Sequence, residues 1–270
     1  MDSVSAIILG FIQGITEFLP VSSSGHLILM HSLLGVREAN PLAFDAVLQL
    51  ATVFAVIVYF FEEIRILLQT VMRKLGRLSV NEREYTMVKA LAIGTVPAIF
   101  LGLLLEDLME SAFRSPLLVA GVLIIGSIFF MFAEYRYGNC YHDKELTPKM
   151  GWHIGLFQCL ALIPGFSRSG ATLAGGMLLG LSRENSARFA FLLSIPIILG
   201  SGLKKLVELL VSDTTVLWAP VVFGAVTAFT VGLLAIHFMI GFVRRHTLWP
   251  FIWYRIILAS FIIFVWVFNT

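Results

Sequence analysis

Charge is what this sequence lacks. Only 13% of its 270 residues are Asp, Glu, Lys or Arg, about half the share of an ordinary soluble domain. The 19 basic and 17 acidic residues leave a net charge of +2, too little for a nucleic-acid partner, which calls for a strongly basic face. There are two cysteines. Cys140, expected in a loop, and Cys159, in an apolar stretch, offer neither a disulfide framework nor metal-ligand spacing. A basic leader is also missing, and Asp2, Gln13 and Glu17 interrupt the first apolar region, so a secretory signal is not expected.

What is present is apolar. Hydrophobic residues make up 58% of the chain, in runs long enough to cross a hydrocarbon core about 30 Å thick. Six stretches read as full spans, roughly 42–61, 89–105, 117–133, 187–203, 218–240 and 250–267. Two further apolar regions, 4–34 and 151–181, are broken by Pro20-Val-Ser-Ser-Ser-Gly-His26 and by Pro164-Gly-Phe-Ser-Arg-Ser-Gly170. The helix before the first break, about residues 4–18, would reach only about 22 Å. Each region therefore reads as a re-entrant helix–turn–helix, covered by protein or lining a water-filled cavity. The expected fold is an all-α polytopic membrane protein: six transmembrane helices plus two re-entrant hairpins in an inverted-topology repeat.

The repeat is visible at a shift of 145 residues. Gly10, Gln13, Ser22, Ser24, Gly25 and the run Leu33-Leu34-Gly35 meet Gly155, Gln158, Ser167, Ser169, Gly170 and Leu178-Leu179-Gly180, eight identities in 26 positions. One membrane domain, 1–270, is expected to hold two halves, about 1–135 and 146–270. Three spans per half invert the second relative to the first, an arrangement that builds sites near the midplane. Alternating sides puts 13 of the 19 basic residues inside and four outside, with Arg168 and Arg255 at membrane depth. Lys204 and Lys205 fall against the trend. By the positive-inside rule the first hairpin enters from outside, the second from inside, and both termini lie outside.

The two breaks match in frame and differ in chemistry. Glu17 faces Leu162, Ser23 faces Arg168 and His26 faces Ala171. Gln13 and Glu17, four apart, share a helix face; an intramembrane carboxylate is costly, and Glu17 reads as a ligand for Mg2+ or Ca2+, as an acid/base, or as a structural hydrogen-bond acceptor. Ser22, Ser23, Ser24 and Gly25 open a short helix, where serines cap and free N–H groups attract anions. His26 would orient or deprotonate a serine, or simply pack. Arg168, between Ser167 and Ser169 with Thr172 one turn on, suits bidentate phosphate binding; an ion pair with Glu17 is its structural alternative. Asp45 and Gln49 would line the site or sit at the interface. Arg255 reads as a snorkelling side chain, and Trp249, Trp253 and Tyr254 as an interfacial aromatic belt.

Gln13-Gly-Ile-Thr-Glu17-Phe-Leu-Pro-Val-Ser-Ser-Ser-Gly-His26 and Pro164-Gly-Phe-Ser-Arg-Ser-Gly-Ala-Thr172 resemble the two motifs of the undecaprenyl pyrophosphate phosphatases, also called the bacitracin-resistance protein BacA family. The resemblance covers essentially the whole chain. It implies hydrolysis of undecaprenyl pyrophosphate to the monophosphate and inorganic phosphate, a divalent cation (Mg2+ or Ca2+), and residence in the bacterial plasma membrane with a site reached from outside. The residue roles expected with it are Ser23 as nucleophile with His26 as its base, Ser22 the second choice, and direct attack by water activated by His26 or Glu17 the other route. Glu17 with Gln13 takes the metal, Arg168 stabilises charge, and Ser22, Ser24, Gly25, Ser167, Ser169 and Thr172 bind the diphosphate. The first motif accepts Glu or Gln at its start, so with Gln13 a second carboxylate ligand is not implied. Expected partners are the lipid pyrophosphate and bilayer lipids, without nucleic acid, and a homodimer is compatible with the sequence. The rival reading is a lipid-phosphate flippase or secondary transporter. A second rival, the other class of membrane lipid phosphatases, needs a His six residues after Arg168, where Ala174 stands.

Overall fold

In hydrocarbon a backbone must satisfy its own hydrogen bonds, and a helix does so within one segment. A computed structural model describes residues 2–35, 41–105, 115–140, 144–211 and 217–269, and no strand occurs among the described residues. In chain order the helices are α1 (Ser3–Phe18), α2 (Ser23–Leu33), α3 (Pro41–Tyr59), α4 (Phe61–Leu75), α5 (Glu82–Leu104) and α6 (Pro116–Cys140), followed by α7 (Pro148–Cys159), α8 (Arg168–Leu179), α9 (Arg183–Val211), α10 (Trp218–Val243) and α11 (Trp249–Asn269). Five of them (α5, α6, α9, α10 and α11) are long and apolar enough to cross a membrane, and α3 with α4 adds a sixth, bent, candidate. The chain is a multi-pass membrane protein. Each of the six expected spans falls on one of these helices, five of them on a helix long and apolar enough by itself.

Both broken regions adopt helix–break–helix. α1 stops at Phe18 and α2 starts at Ser23; α7 stops at Cys159, adds a 3-10 turn over Leu160–Leu162, and α8 starts at Arg168. Each leading helix packs along a span from the other half of the sequence, α1 on α10 and α7 on α5. The contacts are backbone to backbone. A Cβ on Gly10 would stand 2.3 Å from Gly224 O, and one on Gly155 would stand 2.2 Å from Gly94 O. No larger residue fits at either crossing, so the small side chain sets the helix separation. These paired crossings are what a two-fold relation between the halves would produce.

One stretch falls outside the expected spans. Residues 62–75, left as a connection between the first two spans, form with Phe61 the helix α4, bent 80° from α3. Its sequence alternates helically: Phe61, Leu68, Met72 and Leu75 are exposed apolar residues, while Glu62, Arg65, Arg73 and Lys74 are charged. A helix so bent and so divided fits the membrane–water interface. Thr70 ties it to α5 by donating to Glu84 at 2.6 Å. Glu106, Asp107 and Glu110, with the opposing Arg114, lie between the second and third expected spans and outside the described residues.

The start of α11 is fixed by a buried carboxylate. Glu134 of α6 accepts from Arg183 Nε at 3.1 Å and from the Leu248 backbone N–H at 2.7 Å. An anion at a helix N-terminus is favourable. This contact sets where Tyr254 and Arg255 fall, one to two turns later.

Candidate functional site

The two breaks share one backbone. Ser22 and Ser167 stand just before α2 and α8 with φ of 76° and 79°, a region seldom occupied by a residue with a Cβ. Each hydroxyl accepts from the N–H three residues on, Gly25 at 3.3 Å and Gly170 at 3.2 Å, as an N-cap does. Each also neighbours the serine two residues on, Ser24 at 3.4 Å and Ser169 at 3.3 Å. Backbone held this way costs on the order of 1–3 kcal/mol and persists only where its surroundings fix it.

Glu17 is the hub of the side chains. It ends α1 buried, its carboxylate only 4% exposed. Oε2 accepts from Gln13 Nε2 at 2.8 Å and from Ser23 Oγ at 2.7 Å. Oε1 is ion-paired with Arg168 Nη2 across the two breaks. Arg168 is 20% exposed, so the guanidinium is the accessible member of the pair and the carboxylate lies behind it. Ser169 Oγ adds a second link between the breaks, donating to Leu19 O at 3.2 Å. Thus Gln13, Glu17, Ser23 and Arg168 form one bonded group.

His26 lies on the next face of α2 and is bonded at both nitrogens. Nδ1 lies 2.7 Å from Ser22 O, and Nε2 lies 2.7 Å from the Tyr254 hydroxyl. A carbonyl only accepts, so Nδ1 carries the proton, and in the neutral ring Nε2 accepts from Tyr254. The two rings stack, 5.7 Å apart and 7° from parallel. Ser23, expected beside His26 as its base, instead donates to Glu17. Thr172 is fully buried, and its hydroxyl donates back to α8, 2.7 Å from Arg168 O and 3.2 Å from Ser169 O. It braces the turn that carries Arg168. Asp45 pairs with His31 at 2.8 Å.

One residue of α11 is misread by sequence, and a second has a partner the sequence does not show. Tyr254, expected in an aromatic belt, is exposed like Trp249 and Trp253 and also bonds His26. Arg255, expected to snorkel, is completely buried against both breaks. The signal available for Arg255 is the general cost of an ionisable group at membrane depth. Its position near the end of the last span conceals it, because snorkelling is the ordinary fate of such a residue. Nothing local marks Tyr254 among its aromatic neighbours.

Glu17 is the one carboxylate in the bonded group, and among the described residues no cluster of three His, Cys, Asp or Glu gathers for a metal. Gln13 Oε1, however, is fully buried and has no hydrogen-bond partner. An amide oxygen beside a carboxylate fits a hard cation such as Mg2+ or Ca2+, whose other ligands are commonly phosphate and water oxygens. Two surface cavities, of about 380 and 600 Å3, lie elsewhere and share Glu63 and Arg188.

Fold and site together define a multi-pass membrane protein whose polar centre is assembled from two broken helices. Residues 6–261 match the family model described as bacitracin resistance protein BacA. The undecaprenyl-diphosphatase of Chloroherpeton thalassium is 38% identical over 97% of this chain and 96% of its own. That of Trichlorobacter lovleyi is 40% identical over 95% and 94%, and that of Kineococcus radiotolerans 41% over 96% and 92%. The chain belongs to the bacitracin resistance protein BacA family.

Proposed function

We propose that this chain hydrolyses undecaprenyl pyrophosphate to undecaprenyl phosphate and inorganic phosphate, and so confers bacitracin resistance. The product is the lipid carrier of peptidoglycan and other envelope polymers, handled in the bacterial plasma membrane. The observation that carries the reading is the Glu17–Arg168 pair joining the breaks, with Ser23 bonded to the same carboxylate, in a chain whose relatives are named undecaprenyl-diphosphatases. A hydroxyl donating to a buried carboxylate has the geometry of a nucleophile beside its base. The distribution of Lys and Arg supports a site reached from the outer side.

In the first step Arg168 exchanges Glu17 for the oxygens of the terminal phosphate, where a planar guanidinium binds in two places. Ser23 Oγ attacks the terminal phosphorus and its proton passes to Glu17. The bond from that phosphorus to the bridging oxygen breaks, and undecaprenyl phosphate leaves with that oxygen. In the second step water attacks the phosphoserine phosphorus, the bond from phosphorus to Ser23 Oγ breaks and inorganic phosphate departs; Glu17 returns its proton to Oγ, and the water's proton passes to His26 Nε2 in place of the Tyr254 hydroxyl. Charge on the transferred group is stabilised by Arg168, which is where most phosphoryl-transfer catalysis lies. Ser22 is the weaker nucleophile, since its hydroxyl already caps α2. A divalent cation held by Glu17 and Gln13 Oε1 would supply further positive charge to the phosphate oxygens.

The test is phosphate release from undecaprenyl pyrophosphate by the purified protein in detergent, without any gradient. We expect release that a chelator stops and that Mg2+ or Ca2+ restores, and a trapped phosphoserine at Ser23. No release from a folded protein would favour the transporter reading and overturn this one. Full activity after chelation would remove the metal alone.

A further inference from the structure

Arg255 has no part in that reaction, yet its surroundings are more specific than a structural side chain needs. Its guanidinium has five N–H groups, and five bonds meet them. Nε donates to Ser127 Oγ at 3.2 Å. Nη1 donates to Phe166 O at 3.1 Å and Pro20 O at 3.4 Å. Nη2 donates to Gly165 O at 3.1 Å and Leu123 O at 3.2 Å. Three of the four carbonyls come from the breaks, one from the first and two from the second. None of the five partners is a carboxylate.

The arrangement answers a physical problem. Where a helix stops inside an apolar bundle, its last carbonyls lose their partners, and an unbonded buried carbonyl is costly. One planar, rigid fork here satisfies both breaks together, so their separation is tied to its geometry. α6 anchors the fork: Ser127 and Leu123 hold two of its edges, and the Phe130 ring lies 4.7 Å from its central carbon. Gly126 leaves the room, since a Cβ there would stand 2.2 Å from Nη2. Phe166 O belongs to the peptide unit leading into Ser167, and Pro20 lies two residues before Ser22. The two serines are the positive-φ residues that open α2 and α8.

We propose that Arg255 is a positioning residue. It sets the register of the two breaks, and through it the pairing of Glu17 with Arg168. The proposal rests on the function proposed above, and it deepens that reading by adding a group that touches neither substrate nor reacting atoms. A lysine keeps the charge but brings three donors from one point, so it cannot meet both breaks.

The variants are Arg255→Lys and Gly126→Ala, which disturbs the guanidinium from α6, with Gly121→Ala as control because a Cβ there meets nothing within 4 Å. The first readout needs no activity. Thermal unfolding in detergent gives the coupling between Glu17→Gln and Arg168→Gln by a double-mutant cycle, in the wild-type and Arg255→Lys backgrounds. We expect clear coupling in the first and little in the second. The second readout is phosphate release. Both variants should lose about 10- to 100-fold in kcat, as when reacting groups shift by an ångström, with KM little changed, while Gly121→Ala keeps wild-type activity. Undiminished coupling in Arg255→Lys, or wild-type kcat in both folded variants, would overturn the proposal. So would failure of both variants to fold, which makes Arg255 a purely structural residue. If the wild type releases no phosphate the proposed function fails, while the unfolding cycle still decides the role of Arg255.

Discussion

The first break and the second are one backbone carrying two chemistries. Ser22 and Ser167 repeat each other in φ, in cap and in the neighbouring serine. The functional side chains around them are not duplicated. Glu17, Ser23 and His26 stand where the second break has Leu162, Arg168 and Ala171. Gln13 and Gln158 show the divergence best. Gln13 donates to Glu17, while Gln158, 2% exposed, has neither amide atom bonded. With no acid in the second break, its glutamine has no counterpart to serve. The difference teaches that a duplicated frame need not make two sites: one break supplies the carboxylate, the hydroxyl and the imidazole, the other the guanidinium, and the ion pair joins the two breaks.

Breaking that division should follow a ranking. The largest effect belongs to the first break's carboxylate: Glu17→Gln is expected to lose about 10³-fold in kcat for phosphate release, the range of a lost general base. Its mate in the second break, Leu162→Ala, should change kcat less than about threefold, since no charge acts there. Next comes Arg168→Lys, which keeps the charge and loses the fork; about 10²-fold in kcat is expected.

A smaller effect separates the glutamines. Gln13→Ala should cost about tenfold in activity and raise the Mg2+ concentration needed for half-maximal rate, since it removes one oxygen ligand. Gln158→Met should leave activity unchanged and hold or raise the melting temperature, because it removes an unsatisfied buried amide. Equal losses at the two positions would contradict the division. The smallest effect tests what the breaks share. Ser22→Ala and Ser167→Ala should each destabilise by about 1 kcal/mol in thermal unfolding, the worth of an N-cap. Unequal costs would mean that the frames are not equivalent.

Much of this frame is legible in the sequence because it is local. Pro20 and Pro164 stop helices, the capping serines restart them, and the apolar runs fix the six spans. The Glu17–Arg168 contact was foreseen as a structural alternative to phosphate binding, from two charges with no other evident partner in hydrocarbon. What could not be read depends on packing between distant segments. Arg255 meets Pro20 across 235 residues and Phe166 across 89, and His26 meets Tyr254 across 228. Nothing near Tyr254 separates it from Trp253, which is exposed like it but has no such partner across the fold among the described residues. α4 was missed for another reason: its charges match a loop as well as an interfacial helix, and only its apolar stripe, Leu68, Met72 and Leu75, distinguishes them. Ser23 is expected to meet the nearer residue in sequence, His26, whereas the fold turns its hydroxyl toward Glu17 at the end of the preceding helix.

The measurement that bears most directly on a single centre built from both breaks is a kinetic cycle. Phosphate release from undecaprenyl pyrophosphate is followed for Glu17→Gln, Arg168→Gln and the double variant. Groups that act as a unit are strongly non-additive. The account predicts that the double variant loses no more in kcat/KM than the worse single variant, within about threefold. Losses that multiply in full would show Glu17 and Arg168 acting independently, and would contradict it.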